Sequence, residues 1–138
     1  MRALLFHCKN YKTKFQGFAT RPKNVTPEKV TEPEQKGKDC VTAFITVEQD
    51  DDIEKCSLKI CKEIETMSEQ VGHRNIVIIP FAHLSNKIAD SKKGLETLIY
   101  IVKLLEPNFN VMRAHFGSHK SLLLDVYGHP GNIRYREF

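Results

Sequence analysis

The chain lacks most of the short motifs that mark a nucleotide, metal or nucleophile site. It has no Walker A loop, no Gly-x-Gly-x-x-Gly fingerprint, no His-Glu-x-x-His pair and no Gly-x-Ser-x-Gly elbow. Phosphate-loop binding, a zinc-protease site and an α/β-hydrolase nucleophile are therefore unsupported. His115 and His119 are four residues apart, but Phe116 and Gly117 between them predict a loop instead of a shared helical face. We expect no metal site in this chain.

Long apolar runs and paired cysteines are also missing. No run reaches the about 20 residues that a membrane-spanning helix needs, and the N-terminal residues do not resemble a signal peptide. Cys8 directly follows His7, and neighbours on a strand point to opposite faces, which argues against a thiol–imidazole pair. The other cysteines, Cys40, Cys56 and Cys61, form no Cys-x-x-Cys motif. We therefore expect a cytoplasmic protein with reduced thiols and no membrane partner.

Length and composition are those of one ordinary globular domain. A chain of 138 residues is typical of a single domain, so we expect one domain over residues 1–138. Apolar residues make up 41% of the chain and charged residues 28%. The formal net charge of +4 suits an anionic partner such as the end of an RNA, but by itself it does not identify one.

Hydrophobic periodicity predicts two helices. The first has acidic residues at its start and Gly72 after its last turn. The second runs from about residue 90 to 105 and is stopped by Pro107. The apolar stripes follow three- and four-residue spacing. They are Ile53, Ser57, Ile60, Ile64, Met67 and Val71 in the first helix, and Leu95, Leu98, Ile99, Val102 and Leu105 in the second.

Runs of apolar and β-branched residues predict strands at 2–7, 11–19, 40–47, 75–80, 110–114 and 119–127. The second strand is expected to pair back on the first, and the proline-rich stretch 20–39 is expected to be a long surface loop with room for one strand-like piece. A tight turn over "GHPGN" is expected to close the domain. Because the helical segments are long enough for crossover connections, the pattern predicts an α/β domain with two helices packed on a mixed sheet.

Two histidines follow predicted strands. His7 ends the first strand and His83 comes after the strand at 75–79. If these strands run parallel, both side chains border one crevice, because ligands gather at the carboxyl ends of parallel strands. The alternative is that each histidine is a polar residue with ordinary hydrogen-bond partners in a loop.

A lysine lies at the entrance of an apolar strand face. Lys120 shares that face with Leu122, Leu124 and Val126 in the last predicted strand. A lysine in such a place usually extends its ammonium outward into water. The other interpretation is that the ammonium points into a pocket mouth, where it could hold an oxyanion, a phosphate or a ribose hydroxyl.

Several stretches together resemble a known family. "LLFH" at the N-terminus, "VTAFITVE", "PFAHLS" after an apolar strand and "FGSHKSLLLDVYGHP" occur in the order and at the spacing of the archaeal threonyl-tRNA synthetase editing domain. The resemblance covers nearly the whole chain, and "PFAHLS" is its most specific part. It implies a D-aminoacyl-tRNA deacylase-like fold, that is, a mixed β-sheet or partial barrel with two packed helices.

The resemblance also implies a function and a set of site residues. The domain would hydrolyse L-serine wrongly attached to the threonine tRNA, as a homodimer, with water as nucleophile and help from the terminal 2′-hydroxyl. No cofactor is implied in this domain, because the ATP and zinc of aminoacylation would lie in a synthetase catalytic module, in the same chain or a separate one. The catalytic residues would be Lys120 and His83. The substrate-binding residues would be Pro80, Phe81, Ala82, Val47, His7, His119, Gly117 and Phe116.

A physical reason explains why such a domain would exist. Serine is threonine without one methyl group, and a binding pocket gains only about 1 to 3 kcal/mol from a group of that size. A second, smaller site that admits serine and excludes threonine corrects the resulting errors. A small residue such as Ala82, backed by Phe81, suits the wall of that site.

The sequence departs from the family at three places. His7 is followed by Cys8 and Lys9 where Ser-Asp is common, His119 stands where tyrosine is usual, and the first acidic residue after "GHP" is Glu137. Two alternatives therefore stay open. One is a D-aminoacyl-tRNA deacylase, although its Ser-Gln-Phe-Thr and Gly-Pro-type motifs are missing. The other is a tRNA-binding appendage without catalytic activity.

Overall fold

A computed structural model describes residues 1–21 and 24–138 of the chain. It contains two helices and six strands, whose bounds are, in chain order, Arg2–Phe18 (β1), Glu34–Thr46 (β2), Ile53–Val71 (α1), Asn75–Pro80 (β3), Ser91–Leu105 (α2), Asn110–Arg113 (β4), Ser118–Val126 (β5) and Ile133–Glu137 (β6). This is the predicted α/β domain with two helices.

The strands form one mixed sheet that is not closed. Its order is β4-β3-β2-β1-β5, and β6 pairs with β1 beyond the end of β5. β1 is antiparallel to β2, β5 and β6, whereas β2, β3 and β4 run parallel to one another. The prediction of a mixed sheet with some parallel pairs is therefore confirmed.

The first helix begins and ends where the sequence predicts. The side chain of Asp52 accepts a hydrogen bond from the backbone N–H of Lys55 at the N-terminus, and Gly72 at the C-terminus has a φ of 72°. The buried face includes Ile60, Ile64 and other members of the predicted stripe. It packs against α2 and the sheet, so amphipathicity alone determined this element.

The second helix has the predicted bounds but a rotated apolar face. Ile101 is fully buried, whereas Ile99, a member of the predicted stripe, is 37% exposed. Gly94 and Thr97 are also buried. The reason is that Leu98, Ile101 and Leu105 share one side of the helix, and packing selects that side from an almost continuous apolar run.

The sheet has one apolar cluster on each face. The cluster under the helices includes Leu5, Ala43 and Ile78, together with the buried faces of α1 and α2. The cluster on the other face, which we call the inner cluster, consists of Cys8, Tyr11, Cys40, Phe44, Val77, Ile79 and Ala114, with Phe81, Met112, Leu124 and other partly buried residues around it.

Three strand predictions were wrong. Residues 2–7 and 11–19 are not a hairpin but parts of the continuous strand β1, because the segment is paired along its length with β2 on one side and with β5 and β6 on the other. β2 begins at Glu34, inside the stretch expected to be a loop, because Glu34–Lys38 pair with β1. The "GHPGN" turn does not close the domain, because a further strand, β6, follows it. Pro22 and Lys23 of the expected loop lie outside the described residues.

Neither helix of the described chain is long and apolar enough to cross a membrane.

Candidate functional site

The "PFAHLS" segment leaves the sheet at the end of β3 and is held by backbone and hydroxyl contacts. Pro80 is in register with Ile45, and the backbone N–H of Phe81 donates to the carbonyl of Ile45 at 3.0 Å. The Thr46 hydroxyl donates to the Phe81 carbonyl at 2.5 Å and accepts from the backbone N–H of Leu84 at 3.4 Å. One threonine therefore determines how the chain turns after the strand.

The side chains of this segment separate into a buried anchor and an exposed surface. The Phe81 ring packs edge-on against Phe44, with centroids 5.5 Å apart, and against His83, with centroids 5.2 Å apart. Ala82 and His83 are exposed in the single chain. These two side chains therefore border open space. Any group that covers them would have to belong to a substrate or to a second molecule.

Val47 and Glu48 follow β2 beside this segment. Val47 is buried in the cluster under the helices, and its carbonyl accepts from the backbone N–H of Ala89 at 2.9 Å. The Glu48 carboxylate accepts from the Ser85 hydroxyl at 2.5 Å and lies 3.1 Å from the Arg2 guanidinium. Burial would raise the pKa of Glu48, but these partners and the Met1 ammonium outweigh it and lower that pKa.

Lys120 does not extend into water. It is half-buried on β5, opposite Phe15, and its ammonium donates to the carbonyl and hydroxyl oxygens of Ser118, each at 2.9 Å. Burial lowers the pKa of Lys120, and the charge of Glu28 partly offsets that effect. Of the two interpretations of this lysine, the structure favours an ammonium held at the inner face.

Glu28 organises the loop between β4 and β5, and sequence reasoning missed it. Its carboxylate accepts two hydrogen bonds from the Arg113 guanidinium, at 2.6 and 2.7 Å, and one from the backbone N–H of Phe116 at 2.7 Å. Burial would raise the pKa of Glu28, but these donors outweigh it and lower that pKa. No local pattern distinguishes this glutamate from the other charged residues of the 20–39 stretch, so only the tertiary structure shows its partners.

The "FGSHK" loop holds three further predicted residues. Gly117 has a φ of 77°, and a Cβ at this position would lie 2.8 Å from the Cα of Pro27, so only glycine fits. The ring of Phe116 packs over Gly94 of α2. His119 is exposed and, by strand alternation, points to the face opposite Lys120.

The predicted crevice between His7 and His83 was wrong. β1 is antiparallel to β2 and β2 is parallel to β3, so the strands that carry these histidines run in opposite directions. His7 is level with Val41 and Ile76, whereas Pro80 is level with Ile45. Four residues of β2 separate these two levels, which corresponds to about 13 Å along the sheet.

His7 instead forms the centre of a row of three imidazoles. It is 5% exposed, its Nδ1 lies 2.7 Å from Nε2 of His129, and its Nε2 lies 2.8 Å from Nδ1 of His73. The Tyr127 ring stacks on His7 and its hydroxyl donates to Asp39. Burial lowers the pKa of His7, and the two neighbouring imidazoles lower it further. For His7 the structure therefore agrees with the alternative interpretation, namely a polar residue with ordinary hydrogen-bond partners.

Apart from Val47, which is buried in the cluster under the helices, the remaining predicted residues lie in two neighbouring groups. One is Pro80–His83 after β3, and the other is the loop from Phe116 to Lys120 at the start of β5. The connection between β4 and β5 passes beside the end of β3, because the backbone N–H of Ala114 donates to the carbonyl of Ile78 at 2.9 Å. Phe81, Ala114 and Leu124 all contact the inner cluster. Phe81 therefore packs against the inner cluster, and Lys120 shares its strand face with Leu124, whereas Phe116 packs against the cluster under the helices.

Two surface concavities adjoin these groups but are not lined by any of the predicted site residues. One has a volume of about 710 Å³ and is lined by Gln35, Val77, Met112 and their neighbours. The other has a volume of about 460 Å³ and is lined by Arg2, Glu48, Ser85 and their neighbours. Within residues 1–21 and 24–138, no group of three or more histidine, cysteine or acidic side chains is arranged to hold a metal ion.

Comparison with known proteins identifies the family. A model of the archaea-specific editing domain of threonyl-tRNA synthetase matches residues 1–137. A threonine–tRNA ligase from Thermococcus onnurineus is 35% identical over 135 residues, which are 94% of this chain and 21% of that protein. A threonine–tRNA ligase from Methanococcus maripaludis is 31% identical over 132 residues, which are 94% of this chain and 20% of that protein.

A third relative extends the comparison to another genus. A threonine–tRNA ligase from Methanococcoides burtonii is 36% identical over 114 residues, which are 78% of this chain and 18% of that protein. The chain thus spans about a fifth of the length of the curated relatives it matches. With the match over residues 1–137, these similarities show that the chain belongs to the archaea-specific editing domain family of threonyl-tRNA synthetase.

Proposed function

We propose that this domain removes serine from threonine tRNA by hydrolysing the ester bond between the amino acid and the terminal ribose. The observation that carries the proposal is the match to the editing-domain model over residues 1–137. The half-buried ammonium of Lys120, on the strand face that it shares with Leu124, supports it, because a fixed and partly buried cation suits the charge that develops on an ester during attack.

In the proposed reaction a water molecule attacks the ester carbonyl, and the neighbouring 2′-hydroxyl of the terminal adenosine orients that water. An ammonium has three N–H donors, and two of those on Lys120 are engaged by Ser118. The third stabilises the developing oxyanion. His83 borders the entrance and contacts the ribose, with its ring held against Phe81.

Discrimination against threonine comes from the segment after β3. The carbonyl of Phe81 is held by Thr46, so the backbone on either side of Ala82 has little freedom to retreat. A methyl group on the substrate would meet this backbone, whereas serine would not. This is a steric sieve, which supplies the selectivity that a binding pocket cannot obtain from one methyl group.

The homodimer belongs to the same proposal. Leu122 of β5 and Ile133 and Tyr135 of β6 are each close to half exposed and, by strand alternation, point to the face of the inner cluster, and these strands lie end to end along one side of β1. A contiguous apolar surface of this kind is typical of a protein interface. We propose that a second copy of the domain covers this surface.

The domain would act with a synthetase catalytic module, in the same chain or a separate one, and that module would supply ATP and zinc chemistry. No cofactor takes part in the proposed hydrolysis, and the site of action is the cytoplasm. The tRNA partner is the 3′ end of threonine tRNA carrying serine. The runner-up activity, removal of D-amino acids from tRNA, uses the same fold and is tested in the same experiment.

The first prediction concerns Lys120. Single-turnover deacylation of L-seryl-tRNA should slow by at least about 100-fold in the Lys120→Met variant, because the oxyanion loses its cation. The matched control is Lys59→Met, which removes an exposed lysine from α1. Equal rates for wild type and Lys120→Met would refute the role given to this residue.

Three substrates separate the alternatives. The proposal expects fast hydrolysis of L-seryl-tRNA and slow hydrolysis of L-threonyl-tRNA. Faster release of a D-amino acid would favour the deacylase alternative. Binding of tRNA without release of serine above the spontaneous rate would favour the alternative of a tRNA-binding appendage without catalytic activity.

A further inference from the structure

Four exposed lysines form a basic surface on the face of the sheet opposite the inner cluster. In the long paired segment of β1 and β2, Tyr11 and Thr13 are buried while Lys12 and Lys14 are exposed. The facing segment alternates in the same way. We call Lys12, Lys14, Lys36 and Lys38 the lysine ribbon.

The register of the two strands brings like charges together. Lys12 lies directly opposite Lys36, and Lys14 lies opposite Glu34. The Glu34 carboxylate lies 3.2 Å from the ammonium of Lys36 on its own strand and 3.7 Å from the ammonium of Lys12 on the neighbouring strand. Like charges directly opposite each other on a sheet cost stability. One exposed carboxylate among three ammonium groups leaves this part of the surface with a net positive charge.

Protection of a strand edge explains only half of the lysine ribbon. In the described chain, residues 34–39 of β2 have a paired strand on the β1 side alone, since pairing with β3 begins at Cys40. Lysines on such an edge prevent unwanted strand pairing. Lys12, however, is paired with Lys36 on one side and Leu123 on the other. Its strand has no free edge here, so its charge needs another explanation.

The geometry suits a polyanion with evenly spaced charges. Lysines two residues apart on one strand are about 6.7 Å apart, and facing side chains on neighbouring strands are about 5 Å apart. Ammonium groups act as compact point charges that bind phosphate without reading sequence. We propose that the lysine ribbon binds the phosphate backbone of RNA.

The position of the lysine ribbon relates it to the candidate site. Ser121 follows Lys120 in sequence and is paired with Lys14, so the lysine ribbon begins one residue from Lys120, on the opposite face of the sheet. An RNA whose 3′ end reaches Lys120 would therefore pass around β5, the last strand of the sheet path, to lie along the lysine ribbon with its preceding nucleotides. The identity of that RNA as threonine tRNA rests on the proposed function, whereas the affinity for phosphates does not.

The test compares two variants of equal net charge. The ribbon variant replaces all four lysines of the lysine ribbon with glutamine. The control variant replaces four exposed helix lysines with glutamine: Lys55, Lys59, Lys62 and Lys103. Affinity for threonine tRNA and for an unrelated structured RNA is measured by filter binding at several salt concentrations.

We expect the ribbon variant to bind both RNAs roughly 10- to 100-fold more weakly at low salt, with the salt slope smaller by about 3. The control variant should keep nearly the wild-type slope. A lysine-to-arginine version of the ribbon should restore binding, because it keeps the charges. Equal losses in the ribbon and control variants, or no loss in either, would overturn the proposal.

The outcome is independent of the editing reaction. If RNA binding depends on the lysine ribbon but wild type releases no serine, the surface stands and the proposed function fails. If wild type releases serine and the ribbon variant has unchanged RNA affinity, the proposed function stands and the surface fails.

Discussion

At the scale of single residues, the loop before Lys120 depends on positions whose importance is invisible in composition. Glu28 joins Arg113 and the Phe116 backbone, and its charge also acts on Lys120. Gly117 occupies the left-handed region where any Cβ would meet Pro27. These contacts hold the backbone that leads to Lys120, the candidate catalytic lysine.

The prediction at this scale concerns Gly117. Gly117→Ala should lower the free energy of unfolding by about 1 to 3 kcal/mol, because the new methyl group meets the backbone of Pro27 at a strained φ. Gly17→Ala is the control, since a Cβ at Gly17 would have no atom within 4 Å. Urea denaturation measures both. Equal stability of the two variants would contradict the steric explanation.

At the scale of elements, the row of imidazoles joins one strand and two connections that sequence reasoning treated separately. His7 lies in β1, His73 lies between α1 and β3, and His129 lies in the turn between β5 and β6. The Nδ1 of His129 donates to the carbonyl of Pro130 at 2.9 Å, so its Nε2 accepts from His7. His7 Nε2 then accepts from His73. With neutral rings, one direction of donation accounts for all three contacts of the row.

The row predicts a loss of stability in mild acid. Since the pKa of His7 is lowered below 6.5 in the folded state, the unfolded chain binds more protons below that pH, and stability falls as pH falls. The groups that face His7 are His73, His129 and, through Tyr127, Asp39. The urea concentration at which half of the wild-type protein is unfolded should decrease as the pH is lowered from about 8 to about 5.5.

A variant without the central ring provides the comparison. His7→Phe keeps a ring for Tyr127 to stack on but cannot titrate. Its stability should be lower at about pH 8 and should change less on acidification. A pH dependence identical to that of wild type would show that His7 does not carry the effect.

At the scale of the whole molecule, the exposed apolar side of β5 and β6 is the feature without a partner in the single chain. Leu122, Ile133 and Tyr135 project to one face from strands that lie end to end beside β1. Burying such side chains contributes about 25 cal/mol per Å² of apolar surface removed from water. A second copy gains this energy, which is the physical basis of the proposed homodimer.

The prediction at this scale concerns Leu122. Leu122→Lys should convert the dimer to monomer, because it places a charge in the apolar interface. Leu58→Lys is the control, since Leu58 on α1 is 52% exposed and Leu122 is 48% exposed. Light scattering after gel filtration measures the molar mass. A monomeric wild type, or a dimeric Leu122→Lys variant, would contradict the proposed interface.

The sequence by itself determined the elements with a strong local signal and the family. Helix α1 has an amphipathic stripe, an N-cap and a C-terminal glycine, so its bounds follow from nearest neighbours along the chain. The apolar run of β3 determined a buried strand. The motifs "PFAHLS" and "FGSHK" identified the family that the comparison confirmed.

Only the tertiary structure decided which residues meet. The polar segment at Glu34–Lys38 is a strand because β1 pairs with it, and no local propensity contains that information. Direction in the sheet separated His7 from His83, and Glu28 acquired its role from Arg113, which is distant in sequence. Helices depend on contacts three and four residues apart, whereas sheets and sites depend on contacts between distant segments, which composition and periodicity do not record.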